Sequence, residues 1–103
     1  MGRFGFMMRL REESVIPEYE RLHEDIGGEV RAAHTRAGFR NYSIFRNGLD
    51  LFAYYEADDT PGCLQRIEDE PVMAVWWART NPLMETDGNK PLFRPIPEVF
   101  HMD

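Results

Sequence analysis

Residues 3 to 10 alternate with a period of two: Phe4, Phe6, Met8 and Leu10 fall on one side, and Arg3, Gly5, Met7 and Arg9 on the other. Side chains of an extended strand point to opposite faces in turn, so this run reads as a strand with one apolar face. From Ser14 the period lengthens. Val15, Tyr19, Leu22, Ile26, Val30, Ala33 and Ala37 are three or four residues apart, the spacing that lines up side chains on one stripe of an α-helix. Neither apolar surface is stable until it covers the other, which points to helices layered on a sheet. Ser14 suits the N-cap, Pro17 falls in the first turn where its missing N–H costs nothing, and Gly38 suits the left-handed position after the helix. Gly27 and Gly28 sit inside the stripe at about 1 kcal/mol each relative to Ala; the stripe reads as one continuous helix, with a kink or a break into two helices at the glycines as the alternative.

The rest of the chain supplies the sheet. Residues 39 to 47 and 49 to 57 are rich in Tyr, Phe, Ile and Leu and are separated by Asn47-Gly48, a pair whose tolerance of positive φ predicts a type I′ hairpin. Thr60 and Pro61 read as N-cap and N1 of a short helix that turns Leu64 and Ile67 inward. Pro71 opens another through Val72, Met73, Val75, Trp76 and Trp77, limited by Pro82. Residues 84 to 96 read as a Pro- and Gly-rich loop, and Glu98 to Met102 as a last strand. The order strand, helix, strand, strand, helix pair, strand is the βαββαβ order of a ferredoxin-like α+β domain, an antiparallel sheet with helices on one face. At 103 residues the chain has room for one domain, residues 1–103, with marginal stability on its own. Its own helices leave one sheet face bare. Packing two such sheets face to face, as a homodimer in a dimeric α/β-barrel assembly, would cover it.

Charge and residue usage exclude several functions. Acidic residues outnumber basic ones by 18 to 12, and the Arg residues are scattered, which argues against nucleic acid or an anionic membrane as partner. Cys63 is the one cysteine, so neither an intramolecular disulfide nor a thiolate zinc site is available, and a buried packing role is expected. His34 and His101 lack ligand-type neighbours, His34 reading as a solvated helix residue, and no metal site is expected. No P-loop, dinucleotide fingerprint or nucleophile elbow occurs. The N-terminal run is too short and too interrupted by Arg for a signal peptide, and no segment approaches the ~20 apolar residues of a membrane span, so the cytoplasm is the default setting.

A few residues carry chemistry. Tyr19 and His23 are four apart and share a helix face, where an imidazole with a pKa near neutrality stands beside a phenol. The adjacent indoles of Trp76 and Trp77 point about 100° apart on a helix, so one can pack while the other lines a pocket; Trp also stacks well on a sugar ring. Tyr42 has opposite parity to Phe39 and Phe45 on its strand and so faces away from both, toward a pocket or the core.

These segments resemble a family. FGFMMRL, EYERLHEDI, RNYSIF followed by LDLFAYYEA, PVMAVWW and EVFHMD span nearly the whole chain and are similar, in order and spacing, to the L-rhamnose mutarotases. The combination of YxxxH, NYSI and WW carries the resemblance. It implies a dimer of ferredoxin-like subunits that interconverts the α and β anomers of a free sugar with no metal or cofactor. It also implies that His23 is the proton donor and that Tyr19, Tyr42, Trp76 and Trp77 bind the pyranose. Family members commonly carry Ile-Trp-Pro-Glu where this chain has Ile26-Gly27-Gly28-Glu29, so an aromatic near the pocket is replaced. Two rival readings share the architecture, a non-catalytic dimer that binds a small ligand and a cofactor-free monooxygenase. In the mutarotase reading His23 protonates the ring oxygen. The base is left open, Glu98 being one acidic candidate.

Overall fold

A computed structural model describes residues 2–103. Strand β1 (Gly2–Arg9) leads through a 3-10 turn (Glu13–Val15) into α1 (Ile16–Glu24) and α2 (Gly28–Ala37). The hairpin β2 (Arg40–Asn47) and β3 (Asp50–Ala57) follows, then α3 (Thr60–Glu68), α4 (Pro71–Thr80) and a 3-10 turn (Asn81–Leu83). A small hairpin, β4 (Thr86–Asp87) and β5 (Lys90–Pro91), precedes the edge strand β6 (Arg94–Ile96). The main sheet is antiparallel in the order β2-β3-β1-β6, the ferredoxin-like arrangement; it is open and does not close into a barrel within the chain.

Period-two alternation sorts the two sheet faces as expected. Phe4, Phe6 and Met8 stand opposite Tyr55, Ala53 and Leu51 in the β1–β3 register, and these residues pack under the helices. Leu10 continues that face just beyond β1 and is fully buried with Leu51 and Tyr19. Val30, Ala33 and Ala37 of α2, Cys63 and Ile67 of α3, and Met73 and Trp76 of α4 complete the core. Met7, Phe52 and Phe45 line up across the opposite face, with Tyr54 and Ile96 beside them. No helix covers that face: Phe45 is 67% exposed, and Phe52 and Ile96 are each 40% exposed.

Local geometry corrects several expectations. The long helix is broken, because Gly27 adopts φ 91°, a conformation that costs a residue with a Cβ dearly, and α2 restarts there in a new direction. Ser14 caps nothing, since Glu13–Val15 already wind as a 3-10 turn and place it inside that turn. The hairpin loop is Gly48-Leu49, with Asn47 paired to Asp50; positive φ falls on Gly48 and not on Leu49, the pattern of a type II′ turn, because Leu resists positive φ. Asp59 rather than Thr60 caps α3, its carboxylate accepting the Gly62 N–H at 3.1 Å. Gly38 does take the left-handed position, at φ 104°.

Tyr42 faces away from Phe45 but not from Phe39, whose ring centroid is 5.3 Å away. A register shift between Arg40 and Ser43, with Asn41 at φ 50°, adds a residue and resets the parity. The last strand is Arg94–Ile96, inside the expected loop, and Glu98–Met102 form no strand. Pro95 is tolerated there because β6 is an edge strand, and Pro97 stops the pairing because it has no N–H to donate.

Candidate active site

Helix α1 presents Tyr19 and His23 one turn apart on the side facing α4 and β2. The His23 Nδ1–H donates to the Tyr19 carbonyl at 2.9 Å, the rings of the two residues lie 4.2 Å apart, and the edge of Trp76 meets the imidazole at 5.2 Å. That hydrogen bond fixes the tautomer: with Nδ1 donating, Nε2 of the neutral ring carries a lone pair. Burial lowers the His23 pKa below its usual value, and the Tyr19 carbonyl opposes this in part. Burial therefore favours the neutral ring over the imidazolium. Burial also pushes the Tyr19 hydroxyl up, so the phenol stays protonated.

His23 opens into a cleft of about 400 Å³ that it shares with Tyr19, Glu20, Ile44, Arg46 and Leu51. Glu20 and Arg46 pair across this cleft at 3.0 Å. Two residues before Ile44, on the same helix-facing side of β2, Tyr42 lies among Phe39, Tyr55 and His34, at centroid distances of 5.3, 6.0 and 5.4 Å. Its hydroxyl is pushed up chiefly by desolvation and then by the neighbouring phenols of Tyr19 and Tyr55, although 36% of the residue is still open to solvent. Tyr19, His23, Tyr42 and Trp76 thus gather between α1, α4 and the inner face of β2.

Trp77 does not join them. The indoles diverge as their helical phase requires: Trp76 is buried in the core with Arg79 over its ring at 5.7 Å, while Trp77 lines a different cleft, about 640 Å³, with Arg11, Glu68, Asn81 and Asn89. Glu98 is also remote, because Arg3 holds it by two hydrogen bonds of 2.9 Å on the open side of the sheet. A larger cavity, about 740 Å³, lies on that same side against Gly5, Tyr54, Ile96 and Phe100. At Gly27 and Gly28 no atom lies within 4 Å of where a Cβ would stand, and a notch of about 230 Å³ opens there against Trp76. Among the described residues no three His, Cys, Asp or Glu side chains gather as metal ligands would.

His34 departs from the solvated position that the sequence predicts for it. It is half-buried rather than solvated, with its ring against Phe39 at 5.0 Å and Tyr42 at 5.4 Å, and its Nδ1–H donates to the Val30 carbonyl at 2.8 Å. The signal was present in the spacing, since Val30, His34 and Ala37 lie four and three apart on the buried side of α2.

Known proteins match the chain over nearly its whole length. The family model described as L-rhamnose mutarotase matches residues 3–102. An L-rhamnose mutarotase of Lactiplantibacillus plantarum is 35% identical, with all of both chains covered. Among solved structures, an L-rhamnose mutarotase from Formosa agariphila superposes with a TM-score of 0.86 over all of both chains at 24% identity. A dimeric ferredoxin-like protein from an uncultured marine organism matches 98% of this chain and 91% of its own at a TM-score of 0.60 and 14% identity, a likeness of fold alone. With a family match from end to end and a relative 35% identical over the whole length, the chain belongs to the L-rhamnose mutarotases, isomerases that interconvert the α and β anomers of a sugar.

Proposed function

We propose that the substrate is L-rhamnose in its free pyranose form and that His23 carries the proton. The observation that supports this reading is the His23 imidazole, anchored through Nδ1 between Tyr19 and Trp76, with Nε2 left for the substrate. Family membership favours this isomerase chemistry over the binding-only and monooxygenase readings.

Opening the ring requires a proton on the ring oxygen and the loss of one from the anomeric hydroxyl. His23 gives an Nε2 proton to the ring oxygen from its imidazolium form, the form that burial disfavours and that makes the ring a strong acid. The bond from C1 to that oxygen breaks with its electron pair staying on oxygen, while the anomeric hydroxyl gives its proton to a base and its O–H pair becomes the second C=O bond. The aldehyde turns about C1–C2 and recloses on its other face. Tyr19 and Tyr42, kept as neutral phenols by burial, donate hydrogen bonds to sugar hydroxyls, and Trp76 supplies an apolar wall. Each well-placed proton transfer is worth about 10² to 10⁴ in rate, enough to accelerate a reaction that already runs slowly in water.

The working unit in this proposal is a homodimer, supported by the bare apolar face of Met7, Phe45, Phe52 and Ile96. A free aldose in the cytoplasm is the matching setting for its substrate. Proton NMR saturation transfer between anomeric signals, across a panel of free sugars, tests the function. Exchange fastest for L-rhamnose is expected; fast exchange for another aldose and none for L-rhamnose would reassign the substrate.

A further inference from the structure

We infer that His34 is the second proton-transfer residue of this site, taking the proton of the anomeric hydroxyl while His23 serves the ring oxygen; the inference rests on the mutarotase reading. Ring opening moves two protons at two oxygens of one carbon centre, and the nearby carboxylates are poor candidates for the second: Glu24, at the mouth of the His23 cleft, is exposed to solvent. Glu98 is held by Arg3 on the far side of the sheet, and Glu20 is paired with Arg46. His34 has no such commitment. It repeats the arrangement of His23 on the next helix: in each case Nδ1–H donates to the carbonyl four residues back, at 2.9 Å for His23 and 2.8 Å for His34. Each ring lies against a tyrosine, His23 on Tyr19 at 4.2 Å and His34 on Tyr42 at 5.4 Å. Among the described residues, Nε2 of both rings lacks a hydrogen-bond partner.

The placement over β2 sets the separation. His23 shares its cleft with Ile44, and His34 stacks on Tyr42, two residues earlier on the same face. Alternate positions of a strand are about 7 Å apart. The two rings are linked through their phenols: Tyr42, on which His34 lies, is near enough to Tyr19, on which His23 lies, for the two hydroxyls to act on one another, so a sugar bound by both phenols lies beside both imidazoles.

The step balances. The anomeric O–H proton passes to Nε2 of neutral His34, and the O–H electron pair becomes the C=O bond. The pair of the broken C1–O bond stays on the ring oxygen, which takes the proton from protonated His23. His34 is left protonated and His23 neutral. Reclosure on the other face of the aldehyde runs both transfers backward and restores both rings.

The test compares wild type, His34→Gln and His34→Ala by saturation transfer, with circular dichroism as a check on folding. The expected result is a fall in kcat of about 10²-fold with KM nearly unchanged, and saturable rescue of folded His34→Ala by added imidazole, above the rate of imidazole alone. A kcat within about twofold of wild type, a raised KM with kcat unchanged, or a folded His34→Ala that imidazole does not rescue would each overturn the assignment. Should neither variant fold, the wild-type His34 ring nitrogens are followed by NMR as L-rhamnose is added; a shift at Nε2 supports the assignment and an unmoved signal refutes it. Absence of wild-type exchange with every aldose would sink the mutarotase reading itself, whereas normal exchange in the His34 variants sinks only this inference.

Discussion

His23 shows how far a single side chain depends on its neighbours. Replacing it with Asn keeps the size and some hydrogen bonding but removes the proton carrier, so kcat should fall by about 10² or more while the circular dichroism spectrum is unchanged. Burial holds both His23 and His34 below the usual 6.5, and unfolding returns them to water. The unfolded chain then binds more protons than the folded one in the window just below that value, so stability is lost as pH falls from about 6.5 toward their folded-state pKa values. Urea melts at pH 7.5 and pH 5.5 should show the loss, and His34→Leu should make it smaller. Thr80 gives a different test. It is 2% exposed on the Trp76 side of α4, and its hydroxyl has no hydrogen-bond partner among the described residues. Because an unpartnered buried hydroxyl costs about 1 kcal/mol or more, Thr80→Val should stabilise the fold by about that amount in chemical denaturation.

The elements position the site through two irregularities. Gly27 separates α1 from α2 and so lets Tyr19 and His23 on one helix, and His34 on the next, face the same strand. Space is not limiting at Gly27, since nothing lies within 4 Å of a Cβ there; its φ of 91° is. Gly27→Ala should therefore destabilise by about 1–3 kcal/mol, read as a lower urea midpoint with an unchanged slope. The bulge at Asn41 brings Tyr42 beside Phe39 and His34. Neither irregularity follows from periodicity. The apolar stripe runs on through the two glycines and reads as one helix, so only the packing of the elements selected the break, and parity counting cannot see an inserted residue.

On the scale of the whole molecule the bare sheet face dominates. Alternation placed Phe4, Phe6 and Met8 together, and the structure turns that set toward the helices, leaving Met7, Phe45, Phe52, Tyr54 and Ile96 outside. A second copy laid on that face should give a species of twice the 12.1 kDa chain mass in light scattering at micromolar concentration. Phe45→Asp with Phe52→Asp should shift it to the single-chain mass, because burying two unpaired carboxylates costs more than the apolar contact returns. A wild-type species of single-chain mass would remove the dimer from the proposal.

The sequence by itself determined the order of elements, the apolar stripe of each and the helical alignment of Tyr19 with His23. These follow from periods of two and 3.6 residues, which act over a few neighbours and are written in the spacing. It also determined that Trp76 and Trp77 diverge, because one residue of helix turns by a fixed angle. Which indole meets His23, which side of β1 meets the helices, where the last strand pairs and that His34 lies against Tyr42 were decided by the tertiary structure. Each depends on how separate elements settle against one another, with the free edge of β1 taken by Arg94–Ile96 and α4 rotated to bury Trp76. Burial and the approach of distant side chains, the causes of the lowered histidine pKa values, arise only when those elements meet.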